Sequence, residues 1–262
     1  MKHLIVTADD FGLAAEVNKA VLKAHTEGIL TSASLMVSAP AAAEAIDMAK
    51  DMPTLGVGLH LVLAEGSSVL SHKKIPDLVD EAQKFSDKIV SSGFRYFFSP
   101  KAKKQIQMEC EAQIKKFLES GLKIDHINSH NHLHVHPTIA GIVIELAKKY
   151  SIPAMRVPYG LFPFSLLLEN KLKKVGIVYN DATFGLSETG AMIESAWEKI
   201  IPQIKEGVTE IYTHPATATT GILNKTMPDY KHKEELEALM NPKLQEQITK
   251  AGIELTTFSE LP

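Results

Sequence analysis

The amino-acid sequence predicts an α/β fold in which a mainly parallel sheet forms a deformed (β/α) barrel, and three observations carry that expectation. Short β-rich apolar runs alternate with longer segments of helical period from one end of the chain to the other. About seven or eight such units share one chain, a count that favours a barrel over an open doubly wound sheet. Polar side chains recur where the strand-like runs end. With 262 residues and 45% hydrophobic content the chain can bury one large core, so positions 1–262 are read as a single domain.

The units follow in order. HLIVTA, from His3, is an apolar run closed by two aspartates, and EVNKAVLKAHTEG then spaces its apolar residues three and four apart until Gly28 stops it. TSASLMV precedes the alanine-rich AAAEAIDMAKDM, and TLGVGLHL ends beside His60. A long connection leads to a helix from Gln105 to Ser120, stopped by Gly121. KIDHINS is the next strand and PTIAGIVIELAKKY, opened by Pro137, the next helix. IPAMRVP, VGIVYND, VTEIYTH and IELTTF read as the remaining strands, with Asn241-Pro242 opening the last helix and Gly252 ending it.

Composition excludes several functions. A formal net charge of -3 and the absence of any polybasic run beyond short pairs such as Lys103-Lys104 argue against a nucleic-acid partner. The single cysteine, Cys110, lies in the helical stretch QMECEAQIKKFLE and reads as a structural thiol. The amino-terminal apolar run is too short for a secretory segment and no later run has bilayer length, so the cytoplasm is the expected compartment.

The chemistry lies at the strand ends. Asp9 and Asp10 follow LIVTA, His60 ends GVGLH, His130 follows HINS, Arg156 ends PAMR, Asp181 follows VGIVYN and His214 follows EIYT. In a parallel barrel such positions share one rim, where these folds place their sites. One carboxylate with two imidazoles suits a divalent ion such as zinc, manganese, cobalt or nickel, and three protein ligands leave room for water and substrate. The adjacent aspartates can divide two roles, one binding metal and one acting as base. Taken singly, each signal has a structural reading: an aspartate capping the helix from Ala14, or a histidine or arginine merely hydrogen-bonded in place. The stretch DHINSHNHLHVHP holds five histidines, and its mixture of His and Asn before Pro137 predicts that the strand gives way to a loop near His130. His3, His25, His72 and His232 lack such a context and read as structural or exposed.

TADDFG, GLHLVL from Gly58 to Leu63, HINSHNHLHVHP and THPA from Thr213 to Ala216 occur in this order over nearly the whole chain, and together they resemble the YdjC-like carbohydrate deacetylases. RVP at Arg156 and NDATFGLSETG from Asn180 look most like the hopanoid-biosynthesis-associated subgroup. The resemblance implies a deformed barrel related to polysaccharide deacetylases, homodimeric, that removes an N-acetyl group from an amino sugar with one divalent metal, magnesium or zinc foremost. It assigns Asp10, His60 and His130 to the metal, Asp9 to the general base and His214 to the acid or an oxyanion-stabilising cation. Arg156, Asp181, His132 and His134 would line the substrate pocket. The chain departs from many relatives in having Asn128 where they carry aspartate, which bears on metal preference.

The segments GFRYFFSP and VPYGLFPFSLLLENKL are rich in apolar residues. They read either as core and dimer interface or as a wall for the lipid of a glycolipid, which would bring transient membrane contact. A soluble chito-oligosaccharide would favour aromatic platforms, yet the one tryptophan, Trp197, falls in a helix. Two other classes stay in view: another metal-dependent barrel hydrolase, and a non-catalytic metal-binding protein.

Overall fold

In the computed structural model, which describes residues 1–261, the apolar opening run becomes the central strand β1 (Lys2–Phe11). There follow α1 (Ala15–Glu27), β2 (Ser32–Leu35), α2 (Ala42–Lys50), β3 (Gly56–Leu61), α3 (Ile89–Phe98), α4 (Pro100–Glu119) and β4 (Ile127–Ser129). A 3-10 turn (His130–Val135) leads into α5 (Pro137–Lys149), α6 (Phe164–Val175), β5 (Ala182–Phe184), α7 (Glu194–Ile200) and β6 (Gly207–Thr213). The chain ends with α8 (Gly221–Thr226), α9 (His232–Leu239), α10 (Pro242–Lys250) and β7 (Ile253–Leu255).

All pairings between these strands are parallel, in the order β4-β3-β2-β1-β6-β5, with β7 alongside the first residues of β1. Isolated bridges from Ile127 to Met155 and from Ala154 to Val178 carry the sheet on from β4 towards β5 and complete the ring. The expected deformed barrel is therefore present. IPAMRVP contributes two bridged positions, Ala154 and Met155, and VGIVYND one, Val178, to its wall rather than full strands.

Strand alternation explains how a small ring is filled. On β1, Leu4, Val6 and Ala8 join the main apolar core, whereas Ile5 packs with Ala154 and Phe258 in a separate small cluster. Above Ile5 on that same face, Thr7 donates to Glu210 of β6 at 2.7 Å, and Asp9 follows. The interior thus begins apolar and turns polar towards the carboxyl ends of the strands. Gly58 on β3 serves this arrangement, since a Cβ there would stand 2.3 Å from the ring of the buried His126. His126 in turn bonds Asp125 and Ser34 beneath the site.

Local signals held at several helix ends. Asn241 caps α10 by accepting from the Lys243 amide at 3.0 Å, with Pro242 in the first turn. Neither Asp9 nor Asp10 caps α1, whose cap position Ala14 has no side-chain partner. Cys110 is fully buried, and burial raises its thiol well above the usual range, as suits a structural residue.

Candidate metal centre and its surroundings

The end of β1 is built to present two successive carboxylates. The pairing with β2 slips between Ala8 and Phe11, and Asp10 takes a left-handed conformation with φ 62°. This irregularity breaks the alternation, so Asp9 and Asp10 both reach the mouth instead of pointing to opposite faces. His60 arrives from β3. His130 arrives where β4 stops, followed by Asn131 and His132 at φ 54° and 52°, which turn the chain tightly across the opening.

Asp10 Oδ1 lies 3.3 Å from His60 Nε2 and 3.1 Å from His130 Nδ1. Metal–ligand bonds of about 2.0–2.2 Å in a tetrahedral site would set neighbouring ligand atoms roughly 3.3 Å apart, so this spacing fits one ion. The donor chemistry fits as well. Asp10 Oδ2 is buried without a hydrogen-bond partner, and His60 Nδ1 lies 2.7 Å from Asn128 Oδ1. The Asn128 amide nitrogen faces the carboxylate of Asp9, so its oxygen accepts the Nδ1 proton of His60 and leaves Nε2 free to bind a cation. Burial disfavours charge on His130, yet the carboxylates of Asp10 and Glu65 outweigh it and raise the imidazole to about 10. The three-sided site calls for positive charge. Among the described residues this is the one group with metal-binding geometry.

Arg156 sits beside it as a buried clamp. Its guanidinium donates to Asp9 Oδ2 at 2.6 Å and Oδ1 at 3.0 Å, and to both carboxylate oxygens of Glu210 at 2.8 Å. Burial would raise Asp9, but Arg156 and the neighbouring histidines hold it well below the usual carboxylate range. Arg156 has no exposed surface and stacks over Tyr212 at 4.8 Å. It therefore positions Asp9 instead of lining the pocket for substrate, contrary to the expectation from sequence.

The other expected residues divide. His132 stands at the mouth, its Nε2 3.0 Å from the Tyr212 hydroxyl and its Nδ1 unpartnered. His214, at the end of β6, is lowered by burial despite the nearby aspartates, which makes it a neutral imidazole and not a resting cation. His134 is wholly buried between Ser129 and the Arg156 carbonyl, so it braces the turn and is out of reach of a substrate. Asp181 is misplaced by the sequence reading: it accepts from the Val208 amide at 2.8 Å, at the amino-terminal end of β6 and the opposite end of that strand from His214. Its strand does not end there, because Asn180 kinks the chain onto Val157 and pairing resumes at Ala182.

Sequence reasoning also missed Glu210, Glu65 and Tyr212. Glu210 and Tyr212 lie two residues apart on β6, in step with His214, and a glutamate inside an otherwise apolar strand is the signal that marks them. Glu65 comes from the loop after β3, accepts from Asn131 at 2.7 Å and stands 3.7 Å from His130 Nε2. No local pattern in the sequence points to it.

Known proteins resemble this chain along its full length. A carbohydrate deacetylase of Brevibacillus brevis is 34% identical, with 98% of this chain and 99% of that protein aligned. One of Thermoanaerobacter pseudethanolicus is also 34% identical, with 100% of each covered, and one of Geobacillus stearothermophilus is 31% identical over 99% and 98%. A crystal structure from Enterococcus faecalis V583, described as a candidate cellobiose-phosphate cleavage protein, superposes with a TM-score of 0.83 at 28% identity, covering 98% of this chain and 97% of that one. The family model described as YdjC-like protein matches residues 3–250, spanning every strand of the ring but β7. With the strand ends, the ligand triad and these full-length matches in agreement, the chain belongs to the YdjC-like family.

Proposed function

We propose that this chain is a metal-dependent carbohydrate deacetylase that removes the N-acetyl group from an N-acetylglucosamine-containing glycolipid, with an acetylglucosaminyl hopanoid as the specific substrate. One observation carries the hydrolytic reading: the Asp10, His60 and His130 donors converge at the barrel mouth beside the buried, ionised Asp9. The full-length relatives named carbohydrate deacetylase support the reaction class.

Asp10, His60 and His130 would hold one divalent ion, magnesium or zinc ahead of manganese, cobalt or nickel, and such an ion when bound supplies Lewis acidity to water and to the acetamide carbonyl. Asp9 accepts the proton of the attacking water. Because Arg156 makes its carboxylate a weak base, the acid formed gives the proton up readily. His214, uncharged at rest, is the carrier that delivers a proton to the departing nitrogen, so that amine and acetate leave. His132 turns its unpartnered Nδ1 to the sugar. Residues 1–262 act as one catalytic domain, and the same reading includes a cytoplasmic homodimer.

The lipid-linked substrate is favoured over a chito-oligosaccharide by two features. Trp197 is fully buried and offers no stacking platform, and large apolar side chains on α3 and α6 stay exposed. Acetate release by metal-loaded protein is the test, run on lipid-linked N-acetylglucosamine and on a soluble oligomer beside Asp9→Asn and His130→Ala. Metal-dependent release from the lipid-linked sugar, abolished in both variants, is the expected result. No acetate from either substrate sinks the reaction class and turns attention to other metal-dependent hydrolysis. An Asp9→Asn protein with unaltered function would point to non-catalytic metal binding.

A further inference from the structure

Exposed large apolar side chains are gathered on one side of the molecule. Apart from Met1 and Leu118, every such residue described lies between Val90 and Phe98 or between Phe162 and Leu167. α3 buries Ser92 and Tyr96 while Val90, Phe94 and Phe98 are 75%, 64% and 71% exposed. With Phe97 and with Phe164 of α6 they wall a groove whose floor includes His136 and Pro137.

A basic stretch opens α4 beside this groove. Lys101, Lys103 and Lys104 are all exposed, and no acidic residue occurs between Lys88 and Met108, whereas Arg95 turns to the Asp77 carbonyl, in a patch shared with Asp80 and Asp87. Lys103 Nζ stands 5.8 Å from the centre of the Phe97 ring. The cluster runs against the chain as a whole, whose net charge is -3. The face is tied to the elements that carry the metal site: His136 directly follows the turn that begins at His130, and the Tyr96 hydroxyl donates to the Leu63 carbonyl at 3.0 Å, three residues past His60.

We infer that α3, with the first turns of α4 and α6, is a docking surface for an anionic lipid bilayer. Exposed phenylalanines on an amphipathic helix enter the interfacial layer while lysine side chains meet anionic headgroups. A second copy of this chain is a poorer occupant, because a two-fold contact would set the same basic stretch against itself. The inference goes beyond the deacetylase reading and does not depend on it. If both hold, the bilayer lies against elements tied to the site, and an amphiphile can present its headgroup to the triad while its apolar part stays in lipid.

Flotation of the full-length protein with vesicles tests this without any catalytic readout. The vesicles are phosphatidylcholine alone or phosphatidylcholine mixed with phosphatidylglycerol, and the variants are Phe94→Ser with Phe98→Ser, and Lys101→Glu with Lys103→Glu and Lys104→Glu. Binding to the anionic vesicles, weakened by salt and falling about tenfold or more in each variant, is expected. Thermal unfolding of the variants should match the parent, since every altered side chain is exposed. Absence of binding, equal binding to both vesicle types, or full binding by both variants overturns the inference. Conversion of a dimer to a monomer by the phenylalanine variant, with no vesicle binding by the parent, also overturns it and assigns the face to a second copy.

Discussion

Arg156 shows how one side chain can organise a site it does not touch chemically. It neutralises Asp9 and Glu210 together in a fully buried position. Arg156→Met would strand two carboxylates without their cation, and an expected loss of about 3–5 kcal/mol should appear as a lower urea midpoint. Asn128 has a different task, fixing the tautomer of His60. Asn128→Leu should weaken metal binding roughly 10–100-fold in a competition titration while leaving far-UV circular dichroism unchanged. Unaltered metal affinity would mean that His60 is not a ligand through Nε2. Asp9, Asp10, His60 and His130 were legible in the sequence because each follows a recognisable apolar run. Glu210 and Glu65 were not, because the contacts that give them meaning join β6 to Arg156 and a loop to His130, across long sequence separations.

Among the elements, β3 and β4 depend on one another. The glycines of GVGLH leave space for the side chains of Asp125 and His126, a complementarity that neither segment reveals alone. The end of β4 near His130 was readable from its His, Asn and Pro content, but the left-handed pair at Asn131 and His132 was not, so His132 at the mouth and His134 within the wall looked equivalent. In the sequence α3 reads only as part of a long apolar connection, because its amphipathic pattern is turned outward: Val90, Phe94 and Phe98 face solvent while Ser92 and Tyr96 are buried. α9 offers a test by pH. Glu235 accepts from the amides of Met192 and His214, and burial raises it from 4.5 to about 7. Between those two values the native state binds the extra proton, so stability should fall as pH rises through the window, by on the order of 3 kcal/mol at most. Urea midpoints at pH 5 and pH 8 should differ less in Glu235→Ala than in the parent, whatever the absolute stability of the variant. An equal pH slope in both proteins would show that Glu235 is not the titrating group.

At the scale of the whole molecule, the ring is unevenly fastened. β1 and β6 are paired continuously from Lys2 with Gly207 to Ala8 with Thr213, whereas the wall between β4 and β5 is joined through isolated bridges at Met155, Ala154 and Val178. Backbone segments held by few neighbouring pairs open at lower free energy than a continuous ladder. Amides of Met155 and Val178 should therefore exchange with solvent faster than those of Val6 and Ile211 under native conditions, as hydrogen-exchange mass spectrometry can resolve. Arg156 is adjacent to that loosely fastened wall. Mild denaturant should accordingly inactivate the protein before it unfolds, with the midpoint for catalysis falling below the midpoint for loss of secondary structure.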